Sequence, residues 1–584
     1  MPAIVVVLIV LVAYYLGYRF YSKYLAEKVF AIDKSRQTPA HEFEDGVDYV
    51  PTNKHILFGH HFTSVAGAAP ITGPAIAVFW GWAPALMWVV LGTIFAAGAH
   101  DFGAIVVSVR NRAQNIGTLA GSVISRRART LFLVIIFFLL TLVNAVFAIV
   151  MSTLFINTPS AVIPAAVVIP IALTIGQLVY RRRGSIVLPT IVGLLLLYAT
   201  IPLGQVFPIT VDPLAGVLGV EASTVWVIIL FTYTWFASRL PVWLLLQPRD
   251  YINSYQLFVA LAVIFLGIAV GLNTIVAPAF NTNLPEGSPF WFPFLFITIA
   301  CGAISGFHSL VASGTTSKQL DNEQDARYVG YVGSLGEGSL ATAAILACTA
   351  GVGSYAIWQE SYSSFNSASA NGLGNFTAGV GEFVSNLGIP AAIGATFAAV
   401  VVITFAGTTL DTSVRLQRYV IQEIGEVAGS RLLSRNMTLA ATIAVLLSAG
   451  LALFPYGGGG EAGFAFGVLW QLFGTTNQLT AGLALAVIAV WVLASGRNPL
   501  AAIIPLVFLL TMTTWALLIN LGNFFRDGAW LLLVLDIVVF VLALWLIVEA
   551  FIAMNRVRRE RRANGNSSGG NPSGGNSPEN TNQR

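Results

Sequence analysis

Ionisable side chains lie within stretches of this sequence that are otherwise almost entirely apolar, among them His60, His61, His100, Asp101, His308 and Asp411. An imidazole changes its protonation near neutral pH, and a carboxyl group withdrawn from water can hold a proton. Ionisable groups in apolar segments are costly to bury, so they are functional candidates by default. We therefore predict that ion coupling involves five of these side chains: His60, His61, Asp101, His308 and Asp411.

Two of these acids have structural alternatives. Asp101 lies about 2.5 helical turns before Arg110, so it could form an ion pair with Arg110 or Arg112 that ties a helix to the following loop. Asp411 follows two threonines near the end of an apolar stretch, where its carboxylate could line a pathway or cap a helix. The sequence leaves both alternatives open.

Arg239 interrupts the apolar part of the segment TYTWFASRLPVWLLLQPRDY, two residues before Pro241. A guanidinium group is always charged and can bind a carboxylate through two parallel hydrogen bonds. We predict that Arg239 and the neighbouring Trp235 contact the carboxylate of a substrate. A structural ion pair, or a side chain that reaches out to the membrane surface, is the alternative.

These side chains must be positioned by helices, and one of those helices is predicted to be broken. Residues 58–82 (FGHHFTSVAGAAPITGPAIAVFWGW) are apolar but contain Gly59, Gly67, Pro70, Gly73 and Pro74. Proline removes a backbone donor, and lipid cannot satisfy the backbone groups that a break sets free. Such breaks mark the binding sites of secondary transporters. We predict that the following residues contact substrate here: Ser64, Gly67, Ala68 and Thr72.

Two later stretches are also rich in glycine and polar residues, CGAISGFHSLVASGTTSKQL (301–320) and LWQLFGTTNQLTAGLAL (469–485). Their hydroxyls and amides, with His308, are suited to lining a polar pathway. We predict substrate contacts at Gly306, Gln471 and Asn477, and ion contacts at Ser313, Thr315 and Thr316. The structural alternative is that these stretches form small-residue packing faces with hydrogen bonds between helices.

The composition identifies the class of protein. Of the 584 residues, 56% are hydrophobic and only 10% are charged, and the mean hydropathy is +0.78. Soluble proteins have about 25% charged residues, so this chain is an integral membrane protein. The sequence contains no P-loop, no HExxH motif and no TVGYG-like filter, which argues against an ATP-driven pump, a zinc protease and a selective channel. We expect no enzymatic activity, no cofactor and no nucleic-acid partner.

A membrane-spanning helix needs about 20 apolar residues. On this criterion the sequence predicts fifteen crossings, at 3–22, 62–79, 83–109, 129–153, 160–180, 185–205, 222–247, 255–277, 292–313, 329–352, 387–409, 437–454, 464–496, 499–521 and 529–553. If the N-terminus lies outside, only Arg526 of the 30 basic residues falls outside, and only Arg239 falls within a span. The positive-inside rule therefore predicts an external N-terminus and a cytoplasmic C-terminus. Residues 353–386, which lack Lys and Arg, are predicted to form an outer loop.

The order of the spans predicts an internal repeat. The second and seventh spans are five apart, run in opposite directions and carry interruptions at 66–73 and 238–241, the pattern of an inverted five-plus-five repeat. The ninth span would then be the eighth core helix, where a LeuT-like transporter places a Ser/Thr pair on sodium. This predicts a possible sodium site at Ser313 and Thr316 and no other metal site. The domains would be an N-terminal helix (1–30), a transport core (55–425), C-terminal helices (426–555) and a disordered tail (556–584).

Several long segments carry a family resemblance: HHFTSVAGAAPITGPAIAVFWGW, GAHDFGAIVVSVR, QPRDYINS, GAISGFHSLVASGTTSKQL, FAGTTLDTSVRLQRYVIQE and LWQLFGTTNQL. Together they make the chain resemble the carbon starvation protein A (CstA) family over about 50–500. The resemblance implies a LeuT-like core similar to that of the amino acid–polyamine–organocation transporters. It also implies uptake of peptides during starvation or, for some members, proton-coupled uptake of pyruvate across the inner membrane.

We therefore expect an all-α secondary active transporter that imports small peptides, driven by a cation gradient with the proton as the first candidate. A proton–pyruvate symporter that uses the same site is the alternative. A membrane nutrient sensor is the alternative from another class, although the chain has no attached signalling domain. The expected partners are the substrate, a proton or sodium ion and membrane lipid.

Overall fold

The fold is known from a computed structural model that describes residues 1–46, 48–182, 187–241, 243–455 and 464–567. Within these ranges all regular secondary structure is helical, apart from two isolated bridges, Pro2–Thr274 and Thr52–Leu320. The prediction of an all-α polytopic membrane protein is confirmed.

The helices of the first half are α1 Ala3–Val29, α2 Lys54–Val65, α3 Ala69–Trp80, α4 Trp82–Arg110, α5 Arg126–Asn157, α6 Pro159–Leu178, α7 Val187–Val206, α8 Asp212–Leu218, α9 Ala222–Ala237 and α10 Leu246–Gly271. Those of the second half are α11 Trp291–Thr298, α12 Gly306–Val311, α13 Arg327–Ala350, α14 Phe365–Ser385, α15 Ala391–Val427, α16 Met437–Ala452, α17 Phe466–Ala494, α18 Leu500–Arg526 and α19 Trp530–Ser567. Short helices also occur at Pro39–Glu42, Ile116–Leu119, Tyr355–Ser361 and Arg431–Arg435.

Eleven described helices are long and apolar enough to cross a membrane, or thirteen if the bent pairs α2–α3 and α8–α9 each form one span. The predicted count of fifteen is not confirmed. Two of the predicted spans, 292–313 and 437–454, fall on helices shorter than the roughly 20 residues that a crossing needs: α11 and α12 for the first, and α16 for the second.

Two helices are interrupted within the bundle. The first interruption, residues 66–68, separates α2 from α3, and the helix axis bends by 49° there. The second interruption, residues 299–305, separates α11 from α12. Gly302 adopts a φ of +95° in this second segment, a conformation that side-chain-bearing residues rarely adopt. Both interruptions therefore expose backbone groups that a continuous helix would satisfy.

The two interruptions pack against each other. A Cβ atom on Gly73 of α3 would collide with the carbonyl oxygen of Thr298 at the end of α11, and one on Gly302 would lie 3.4 Å from Cα of Pro70. Around them, α15 packs along α5 and α14, while α17 packs along α5, α18 and α19. Helices α4, α13 and α17 are enclosed, whereas α1, α7 and α19 keep most of their apolar surface exposed at the periphery.

Three sequence expectations need correction. The second interruption lies at 299–305 and not at 238–241, because residues 238–241 follow the end of α9 in a connection to α10. The predicted outer loop at 353–386 contains α14, whose small residues allow close packing on α3, α13 and α15. The predicted tail begins inside a helix, since the last helix continues to Ser567, and residues 568–584 lie outside the described part of the chain.

Candidate functional site

A buried histidine lies between two buried carboxylates behind the second interruption. His308 of α12 places Nδ1 2.9 Å from Oδ2 of Asp101 on α4, and Nε2 3.3 Å from Oε1 of Glu337 on α13. The exposed fraction of all three side chains is 0–1%. We call Asp101, His308 and Glu337 the acid–histidine cluster.

The other contacts of this cluster connect it to the second interruption. Asp101 also lies 2.7 Å from Nδ1 of His100 and accepts a hydrogen bond of 2.7 Å from Oγ of Ser334. Glu337 Oε1 accepts a hydrogen bond of 3.2 Å from the backbone N–H of Gly302. A change in the charge of Glu337 therefore acts directly on the non-helical backbone at 299–305.

The ion pair considered between Asp101 and Arg110 is not formed. Arg110 instead pairs with Glu323, at 2.5 Å, near the end of α4. In the part of the chain that the structure describes, no Lys or Arg forms an ion pair with Asp101 or Glu337. His308 is the ionisable side chain that lies between the two carboxylates, so the cluster is suited to gaining and losing protons.

Side chains of neighbouring helices form hydrogen bonds with several backbone groups at the second interruption. Asn477 Oδ1 of α17 accepts from the backbone N–H of Phe307 at 3.1 Å, and Asn477 Nδ2 donates to Ser305 Oγ at 3.1 Å. Carbonyl oxygens accept from Trp470, Trp88 and Thr93, which reach Thr298, Ile299 and Gly302 respectively. Asn477 therefore forms hydrogen bonds between helices at this interruption, and its predicted contact with substrate stays a prediction.

At the first interruption the neighbouring hydroxyl belongs to α15. A Cβ atom on Gly67 would lie 2.6 Å from Thr409 Oγ1, and this buried hydroxyl has no hydrogen-bond partner among the described residues. Thr72 donates to the carbonyl oxygen of Ala68, and Ser64 is partly exposed beside it. The sequence did not place Thr409 at this position.

The hydroxyls predicted to hold sodium have other roles. Ser313 donates to the Ser309 carbonyl and accepts from the Ile116 N–H, while Thr315 donates to the Val311 carbonyl. Thr316 Oγ1 lies 2.8 Å from Nδ1 of His61. The structure places these hydroxyls on the turns after α12, whereas the hydroxyl beside Gly67 at the first interruption is that of Thr409. The sodium site at Ser313 and Thr316 stays a prediction.

A second charged group lies between α9, α10 and α15. Arg249 Nη1 is 2.6 Å from Asp411 Oδ2 and donates to the Tyr233 hydroxyl at 2.8 Å, and that hydroxyl donates to Asp411 Oδ2 at 2.9 Å. We call Arg249, Asp411 and Tyr233 the arginine–acid cluster. Next to it, Asp250 Oδ2 lies 3.6 Å from His60 Nδ1 on α2.

The sequence can now be compared with known families. The sequence profile described as carbon starvation protein CstA matches residues 2–370 and 355–516. The chain belongs to the CstA family. The peptide transporter CstA of Campylobacter jejuni is 33% identical over 88% of this chain and 79% of its own length.

Two further comparisons differ in strength. The pyruvate/proton symporter BtsT of Escherichia coli is 37% identical over 58% of this chain and 47% of its own, so that match spans about half of BtsT. A manganese transporter of Eremococcus coleocola has 14% identity and a TM-score of 0.45, covering 88% of this chain and 99% of its own. That structural likeness is too low to support an argument about this CstA-family protein.

Several predicted residues of this CstA-family protein lie away from both interruptions. Arg239 stacks on Trp235, 4.3 Å from the ring centre, and Trp235 donates to Thr442 of α16. The adjacent Leu240 carbonyl accepts from Arg415, which lies six residues and about 9 Å beyond Thr409 along α15. The structure therefore does not bring Arg239 to the first interruption. Gln471 is buried on α17, and Gly306 packs against the backbone of that helix.

Sequence reasoning missed three charged residues of the CstA fold. Glu337 is a single acid in an otherwise uncharged part of α13, a signal that could have identified it. Arg249 and Asp250 were assigned to a cytoplasmic loop, but both are buried in the first turn of α10. Their signal was the polar segment QPRDYINS, which lies between two apolar stretches of the sequence.

Proposed function

We propose that this protein imports small peptides by secondary active transport during carbon starvation, and that an inward proton gradient drives it. The observation that carries the proposal is the hydrogen bond between Glu337 and the N–H of Gly302. It joins a group of protonatable side chains to one of two helix interruptions that pack together inside the bundle. Such paired interruptions are the usual place for substrate and coupling-ion sites in secondary transporters.

The proton would be shared among three side chains. His308 contacts one oxygen of Asp101 and one of Glu337, so a proton on its ring can move to either carboxylate. When Glu337 is neutral, its oxygen is a weaker acceptor for the Gly302 N–H, because hydrogen bonds to ionised groups are stronger. Proton binding therefore loosens the second interruption, and proton release tightens it.

The substrate site would lie between the two interruptions. Backbone groups of 66–68 and 299–305 that lie outside the helical hydrogen-bond pattern would bind the peptide bonds and charged ends of a short peptide, with Ser64, Thr72 and Asn477 beside them. The name of the Campylobacter jejuni relative supports a peptide. The name of the BtsT relative supports pyruvate as the second candidate, with the same proton cluster. Arg239 and Trp235 lie outside this group.

The proposal is tested with purified protein in liposomes, a labelled dipeptide or labelled pyruvate, and an imposed proton or sodium gradient. We expect accumulation of the dipeptide under the proton gradient only. The Glu337→Gln variant should lose this accumulation, while Asp536→Asn, which removes a buried carboxylate of α19 outside both clusters, should keep it. Accumulation of pyruvate alone would select the second candidate, and binding without accumulation would indicate a sensor.

We further propose that the protein lies in the inner membrane with its N-terminus outside and its C-terminus in the cytoplasm. The distribution of Lys and Arg supports this orientation. A cysteine at Ser35, in the exposed segment between α1 and α2, should react with an impermeant maleimide only after cell lysis. A cysteine at Glu286, in the exposed segment before α11, should react in intact cells. The reverse labelling pattern would contradict the orientation.

A further inference from the structure

Three arginines meet where α9 ends against α15. Arg415 Nη2 donates to the carbonyl oxygens of Ala237 and Leu240, at 3.0 and 2.8 Å, on either side of Arg239. Arg418 lies three residues after Arg415 on α15, so the two side chains share one face of that helix. We call Arg239, Arg415 and Arg418 the arginine crevice.

The charges of this crevice are not balanced by the protein. Among the described residues, none of the three arginines forms an ion pair with a carboxylate, and the buried Nε atom of each has no hydrogen-bond partner. Arg415 is 8% exposed and Arg418 is 4% exposed. The nearest acid along α15, Asp411, is already paired with Arg249. Carbonyl oxygens at the end of α9 accept from Arg415, but buried cations without a counter-ion are costly, so an anion from outside the chain would stabilise the crevice.

The surroundings of the crevice are apolar and face outward. Arg239 stacks on Trp235, and Arg418 stacks on Tyr419 with its guanidinium carbon 4.5 Å from the ring centre. Phe236 of α9 is 59% exposed and Tyr419 of α15 is 49% exposed. Trp and Tyr are enriched where a spanning helix meets the headgroup layer. A ligand here would place its anionic group on the arginines and apolar chains along these rings.

We propose that the arginine crevice binds the phosphate group of an anionic phospholipid. Guanidinium groups suit phosphate because they present parallel N–H donors to its oxygens. Inorganic phosphate has the same anionic chemistry but no apolar chains, so the exposed rings of Phe236 and Tyr419 favour the lipid. This site is separate from the two interruptions, and it adds a lipid partner to the proposed transporter.

The test is native mass spectrometry of the full-length protein in detergent, titrated with phosphatidylglycerol or phosphatidylcholine. The Arg239→Gln/Arg418→Gln variant removes two charges but keeps Arg415, which anchors the end of α9. Its matched control, Arg431→Gln/Arg435→Gln, removes two exposed charges from a nearby short helix. We expect selective retention of phosphatidylglycerol, with a half-saturating concentration at least about tenfold higher in the crevice variant and unchanged in the control.

Three results would overturn the proposal. The first is equal retention of the two lipids by the unmodified protein, and the second is an equal loss of affinity in the crevice variant and its control. The third is displacement of phosphatidylglycerol by millimolar inorganic phosphate, which would assign the crevice to a soluble anion. If the glutamine variant does not fold, Arg239→Lys/Arg418→Lys keeps both charges. That variant should still prefer phosphatidylglycerol, and loss of the preference would also refute the proposal.

Discussion

The two buried charged clusters differ in what balances their carboxylates. In the arginine–acid cluster, Arg249 provides a permanent positive charge 2.6 Å from Asp411, so the pair is neutral at every physiological pH. In the acid–histidine cluster, the only ion-pair partners of Asp101 and Glu337 among the described residues are histidines. The same fold therefore holds a permanently charged ion pair and a protonatable group, and each contacts a different part of the helix bundle.

Their positions match this difference. The acid–histidine cluster is fully buried and contacts the second interruption through Gly302. The arginine–acid cluster is followed along α10 by Asp250, which faces the partly exposed His60 on α2. The first cluster is therefore placed to move a backbone segment when a proton binds. The second is placed to hold α9, α10 and α15 together, close to the start of the first interrupted helix.

Removal of Arg249 from its ion pair with Asp411 should have the largest effect on stability. This variant tests whether the arginine–acid cluster has a structural role. Arg249→Met leaves the Asp411 carboxylate buried and unpaired, which we expect to destabilise the protein by about 3–5 kcal/mol. The double variant Arg249→Met/Asp411→Leu removes both charges and should recover most of the loss. Thermal unfolding in detergent measures both. If Arg249→Met is as stable as the unmodified protein, the ion pair does not stabilise the fold.

Removal of the shared histidine should have a smaller effect on stability and a large effect on pH dependence. His308→Gln keeps a hydrogen-bonding side chain but cannot titrate, so proton-driven uptake should fall at least about tenfold and lose its pH dependence. Uptake initial rates across external pH values in proteoliposomes measure this. His41→Gln, which alters an exposed histidine paired with Asp321, is the control and should keep the normal profile. An unaltered profile in the His308 variant would make it a packing residue.

The smallest effect on uptake is expected from a substitution of Thr409, and this substitution distinguishes proton coupling from sodium coupling. Thr409→Val keeps the side-chain volume but removes the hydroxyl beside Gly67. If the proton is the coupling ion, proton-driven uptake should change less than about twofold, because this hydroxyl has no described hydrogen-bond partner to lose. The same assay with Thr409→Ser is the control. Selective loss of sodium-driven uptake would move the coupling site to the first interruption.

The sequence predicted the helices better than their interruptions. Long apolar runs identify spans such as α5 and α19, because the mean hydropathy of these runs is higher than that of the loops. The second interruption was misplaced because the proline at position 241 marks a break by local chemistry, whereas 299–305 contains no proline and depends on Gly302. Helix α14 was missed because its Gly, Ser and Ala residues suit both an exposed loop and close helix packing.

The site was predictable only in part, because its residues are far apart in the sequence. Asp101 and His308 were both identified as proton candidates, since each is an ionisable group in an apolar stretch. Their contact joins residues 207 positions apart, and Glu337 approaches from a third helix. No local sequence pattern predicts contacts between residues that are so far apart in the sequence. The pairing of Asp411 with Arg249 was equally inaccessible, because the start of α10 had been assigned to a loop.

The most direct test of the central claim is the simultaneous measurement of proton and dipeptide influx in liposomes that carry an internal pH indicator. Addition of external dipeptide should acidify the lumen in proportion to the peptide imported. The Asp101→Asn and Glu337→Gln variants should show neither signal, while Asp536→Asn should show both. Dipeptide import without acidification, or acidification that survives loss of both Asp101 and Glu337, would contradict proton coupling through the acid–histidine cluster.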